Sequence, residues 1–76
     1  MEINDFIKNF SNQFDETEFE EFLSDTIFKN LEEWSSLTAL AVINMVSKKY
    51  NVTINGDDIK AASTIQDLFN IIQSKQ

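Results

Sequence analysis

The chain carries one glycine, Gly56, and no proline, so almost nothing in it obliges the backbone to break. A sheet with many tight turns needs such breaks and helices do not, which makes an all-α fold the expectation. Seventy-six residues suffice for one small domain, 1–76, and a domain of that size buries only about 60% of the surface its unfolded chain exposes. No cysteine is present to staple it, and without histidine the usual zinc and iron–sulfur ligands are missing too. Packing must hold the fold, chiefly through seven phenylalanines.

Ile3, Phe6, Ile7, Phe10 and Phe14 recur at spacings of three and four and predict a first amphipathic helix. Asp15-Glu16-Thr17-Glu18 interrupts it. Phe19, Phe22, Leu23, Ile27, Phe28 and Leu31 follow at looser spacing, so residues 15–34 read as a long connection with one or two short helical turns, pinned by these side chains. Loops of this length in compact domains tend to be functional. Eight of the 13 acidic residues fall between Asp15 and Glu33, most of them explicable as a solvated face.

The segment from Ser36 to about Tyr50 is the strongest helix in the chain. At 100° per residue, Ala39, Val42, Ile43, Val46 and Tyr50 share one side, expected to face the core. Leu37, Leu40, Ala41 and Met45 fall on the other, with Asn44 and Lys48 among them, which is more apolar surface than a lone domain usually exposes. Residues 51–56 are expected to form a loop with Val52 and Ile54 pointing inward. Asp57 to Ala62 predicts a short helix, and Thr64 a cap, with Asp67 at the third helical position, for a last helix bearing Ile65, Leu68, Phe69, Ile71 and Ile72. The tail from Ser74 should fray. The expected architecture is a small four-helix bundle: three main helices, one short one, and a long loop between the first two.

A net charge of −7 argues against nucleic acid as a partner and favours basic surfaces. The first residues lack the cationic and apolar regions of a secretory signal, and no stretch is long enough to span a membrane, so a cytoplasmic, monomeric protein is expected. No enzyme is expected either. There is no histidine for a nucleophile–base pair and no glycine-rich phosphate loop. Glu20-Glu21, Glu32-Glu33 and Asp57-Asp58 are adjacent carboxylates, which does not set two groups across a substrate, and the spacing of a calcium-binding EF-hand loop is absent.

One stretch calls for more than a structural reading: Glu33-Trp34-Ser35-Ser36-Leu37. A serine at a helix start ordinarily caps it, its hydroxyl oxygen accepting from a free backbone N–H. Together with the helical pattern along nearly the whole chain and the element Thr64-Ile65-Gln66-Asp67-Leu68, however, Ser36-Leu37 resembles the acyl carrier and peptidyl carrier family, in which the serine of an Asp-Ser-Leu motif carries phosphopantetheine. The resemblance implies 4'-phosphopantetheine on Ser36, attached by a separate phosphopantetheinyl transferase. It also implies acyl or aminoacyl cargo exchanged with loading and transferring enzymes of fatty-acid, polyketide, nonribosomal-peptide or other specialised pathways. Ser35 stands where the family commonly has aspartate, which removes a charge while leaving a residue able to cap.

Trp34 reads as a loop anchor first and a partner contact second. Leu37, Leu40, Ala41 and Met45, directly after Ser36, read together as a docking patch, with acidic contacts from Glu32 and Glu33. Residues 37–50 contain no acid, unlike the corresponding helix of fatty-acid carriers, so dedicated partners using apolar contacts are expected. The alternative from another class is a helical adaptor, or a degenerate carrier, in which the same face binds a partner and Ser36 is only a cap.

Overall fold

The fold is held by an aromatic cluster around Phe10, as a computed structural model covering residues 2–76 shows. Phe10 is fully buried, and the rings of Phe6, Phe14, Phe22, Phe28 and Trp34 all lie within 6.5 Å of its own, centroid to centroid. Pairs at such separations add about 0.5–1.5 kcal/mol each beyond the area they bury. Phe10 sits on α1 (Ile3–Ser11), which buries Phe6, Ile7 and Phe10 as its spacing predicts. Phe14 lies beyond the end of that helix yet is still buried.

Three further helices complete the bundle among the described residues, which contain no strands: α2 (Ser36–Tyr50), α3 (Gly56–Ala61) and α4 (Ile65–Ser74). α1 packs against α2 and α4, and α3 against α4. α2 ends where Asn51 takes a left-handed conformation (φ 55°, ψ 40°) and donates its N–H to the Ser47 carbonyl, a role asparagine fills better than most residues. Val52 and Ile54 then point inward, as expected. Both α3 and α4 begin with reciprocal capping boxes, Asn55 with Asp58 and Thr64 with Asp67. Lys75, just past α4, reaches Asp58 at 3.5 Å.

The connection from Asn12 to Ser35 contains two short 3-10 turns, Phe19–Glu21 and Phe28–Asn30, in keeping with the one or two turns expected. Its anchoring differs from the sequence reading. Phe22 and Phe28 are buried and Leu31 partly so, but Phe19, Leu23 and Ile27 face solvent. The reason is that backbone groups fix the path here: Ile65 N–H donates to the Thr26 carbonyl, Gln66 N–H to the Ser24 carbonyl, and Ile27 bridges Thr64. That pairing turns main-chain groups of this stretch toward α4 and leaves the side chains of Leu23, Ser24, Asp25 and Ile27 outside.

The orientation of α2 also needs correction. Val42 and Val46 are buried as expected, but so is Met45, at 6% exposure, while Ala39, Ile43 and Tyr50 are only partly covered. A helix apolar around most of its circumference has no single polar face to fix its rotation, and packing by its neighbours decides. The face buried in this bundle is turned toward Met45.

Candidate functional site

The start of α2 is held from two sides by consecutive residues. The Glu33 carboxylate accepts hydrogen bonds from the backbone N–H groups of Asp15, Glu16 and Thr17 and from the Thr17 hydroxyl. The Thr17 hydroxyl above all holds the Glu33 carboxyl below the usual glutamate range; burial opposes it, more strongly than any one of the backbone amides of Glu16, Asp15 and Thr17 that also lower it. Glu33 is therefore a brace for the long loop rather than a free acidic contact, and Glu32 beside it is the exposed one. Trp34 turns the other way, with its ring edge-on to Phe28 at 4.9 Å and stacked over Phe10 and Phe14. It is the loop anchor expected of it.

Between this brace and the helix, the two serines divide the work. Ser35 has extended backbone (φ −155°, ψ 177°) and is the N-cap: its Oγ accepts from the Thr38 N–H at 3.3 Å. Thr38 Oγ1 in turn donates to the Glu33 carbonyl at 2.7 Å, and the first helical bond runs from Ala39 N–H to the Ser35 carbonyl at 2.9 Å. Ser36 is the first helical residue. Its side chain is exposed and makes no hydrogen bond among the described residues, so the view of Ser36 as merely a cap does not hold.

The amides of Ser36 and Leu37 precede the first intrahelical bond, and the first turn of α2 contains no acid. Unpaired N–H groups and the positive end of the helix dipole favour a phosphodiester at such a position. Beside Ser36 an open cleft separates the start of α2 from α3, lined by Trp34, Ala39, Leu40, Ile43, Ile59 and Lys60 among others. Its walls are largely apolar. The residues present thus fit a covalently attached, singly charged phosphodiester whose arm leaves the protein surface.

The surrounding apolar residues do not form the continuous patch that the sequence suggested. Leu37 and Leu40 are exposed, at 80% and 54%, flanking Ser36 and the cleft. Met45 belongs to the core, and Ala41 is half-covered on a different flank, bordering a shallow hollow with Gln13 and Lys49. What sequence reasoning missed was Ile59 and Lys60 as the opposite wall. Their signal was present in the capping box that starts α3, which fixes where that helix begins.

A small helical bundle that offers an unengaged serine hydroxyl at a helix start, next to an apolar cleft, is suited to holding a covalently attached group. Residues 15–72 match the family model of the phosphopantetheine attachment site, and the chain belongs to that family. Members are carriers rather than enzymes, with 4'-phosphopantetheine attached covalently to a serine, and depend on enzymes that modify them and transfer their cargo. No curated protein and no solved structure gives a significant match to the chain. No helix among the described residues is long and apolar enough to cross a membrane.

Proposed function

We propose that Ser36 is the serine that takes 4'-phosphopantetheine, and that the chain, as a single carrier domain spanning 1–76, bears an acyl or aminoacyl group as a thioester on that arm. The observation that carries this reading is the division of labour at the start of α2: Ser35 caps, and the exposed Ser36 hydroxyl is left unengaged. The protein needs no base of its own, because a separate phosphopantetheinyl transferase supplies one and takes the group from coenzyme A. The partners are loading and transferring enzymes of a fatty-acid, polyketide, nonribosomal-peptide or other specialised pathway, met by a cytoplasmic monomer.

Leu37 and Leu40, on a helix without acids, favour partners that grip the site through apolar contacts, with Glu32 as the flanking acid. Partners selecting an acidic helix would find no carboxylate on α2. Incubation with coenzyme A and a broad-specificity phosphopantetheinyl transferase, followed by intact mass and peptide mapping, tests the assignment. Wild type and Ser35→Ala should each gain one phosphopantetheine on the peptide containing Ser36, and Ser36→Ala should gain none. Modification of Ser36→Ala to the wild-type extent, or no modification of wild type by several transferases, refutes it.

A further inference from the structure

A second surface shares no residue with the cleft beside Ser36. Phe19, Leu23 and Ile27 are exposed at 55%, 58% and 49%, and with Leu37 and Leu40 they are the large apolar side chains left in water among the described residues. Phe19 and Leu23 border a groove that is also lined by Ile3 and Ile7 of α1 and by Gln66 of α4.

The outward positions are fixed by the main chain. The Thr26 hydroxyl accepts from Leu23 N–H and donates to the Glu21 carbonyl, both at 2.8 Å, while the Thr26 and Ser24 carbonyls receive the amides that open α4. Turning Leu23 or Ile27 inward would break these bonds, and the fold offers no other partners for them among the described residues. The apolar face is therefore a standing feature of the loop.

Its rim gives the chemistry of what covers it. Glu18, Glu20, Glu21 and Asp25 are exposed and form no ion pair among the described residues. Lys29, the one base between Asp15 and Ser35, is directed elsewhere, its Nζ donating to the Lys60 carbonyl at 3.1 Å. Lys8 borders a neighbouring hollow with Phe19 and pairs with none of the four acids. A second copy of this chain, at net charge −7, would set like charges against like.

We propose that the Phe19–Leu23–Ile27 face is a docking surface for a cationic amphipathic segment of a partner protein, whose apolar side enters the groove and whose lysines or arginines meet Glu18, Glu20, Glu21 and Asp25. Such a segment engages the protein without covering Ser36. Apolar contact supplies affinity, and the carboxylate rim selects and steers the partner.

The full chain, isotopically labelled, is titrated with a synthetic amphipathic helical peptide made of leucine and lysine, alongside a scrambled peptide of the same composition and a leucine–glutamate analogue. Amide shifts should concentrate on residues 18–27, Ile3 and Gln66, with both control peptides at least tenfold weaker. Leu23→Ser with Ile27→Ser should raise Kd at least tenfold while the circular dichroism spectrum stays that of wild type, and Ser36→Ala should leave Kd unchanged. Shifts centred on Leu37 and Leu40, equal binding of the scrambled peptide, affinity indifferent to the double substitution, or self-association abolished by it would each overturn the proposal.

Discussion

Glu33 and Thr17 are joined twice, since one carboxylate oxygen accepts from both the Thr17 backbone N–H and the Thr17 hydroxyl. The pair, 16 residues apart, closes the long loop just ahead of the serines and ties its start to its end.

Acid should loosen this closure. A carboxylate whose folded pKa lies below its unfolded one stabilises the fold at neutral pH, and that contribution fades as pH falls from the unfolded value through the folded one. Glu33 is lowered chiefly by the Thr17 hydroxyl, and Asp67 chiefly by the Thr64 backbone amide. Thermal midpoints should therefore fall between about pH 5 and pH 3, where ordinary carboxylates begin to protonate. Glu33→Gln should be less stable at neutral pH and show a shallower acid slope. Parallel slopes for wild type and variant would remove Glu33 from the account.

The two serines should separate in stability as they do in geometry. Removing an N-cap hydroxyl costs about 0.5–2 kcal/mol, and the 3.3 Å length of the Ser35 bond places Ser35→Ala in the lower half of that range. Ser36→Ala should fall within about 0.5 kcal/mol of wild type, because alanine suits a first helical position and no hydrogen bond is lost. Urea denaturation of the two variants decides, and a larger loss for Ser36→Ala would reverse the roles.

Phe10→Ala should be among the most damaging single substitutions. A buried phenylalanine truncated to alanine costs about 3–5 kcal/mol, comparable with the lower end of the 5–15 kcal/mol that holds a typical domain. With five aromatic partners to desert, it should leave the chain largely unfolded at 25 °C by circular dichroism. Phe19→Ala, on an exposed ring, should change stability by no more than about 0.5 kcal/mol.

Met45 and Leu37 offer the same contrast on one helix. Met45→Ala should cost about 2–5 kcal/mol and Leu37→Ala no more than about 0.5 kcal/mol, as read from denaturant midpoints. Equal effects would mean that α2 is rotated from the position described.

Met45 also shows where sequence reading reached its limit. Caps and breaks are local chemistry, so Thr64 with Asp67, the α2 span from Ser36 to Tyr50 and the inward Val52 and Ile54 were all legible from neighbouring residues. Rotation of an all-round apolar helix is set by distant neighbours, and no local pattern distinguished Met45 from Leu40. The same holds for the loop. Phe22 and Leu23 are both apolar and adjacent, and only the amides opening α4 decide which of them faces out. Glu33 looked like any member of an acidic run because its partners, Asp15 to Thr17, lie at the far end of that loop.

The stitch between the loop and α4 uses amides and carbonyls, which almost every residue possesses, at Ser24, Thr26, Ile65 and Gln66. Shape and identity are thereby uncoupled along that stretch: Leu23, Asp25 and Ile27 can be exchanged for other residues without redrawing the path they decorate. An engineer or a lineage could rewrite the outward side chains to address a different partner while the serine and the bundle behind it stay as they are.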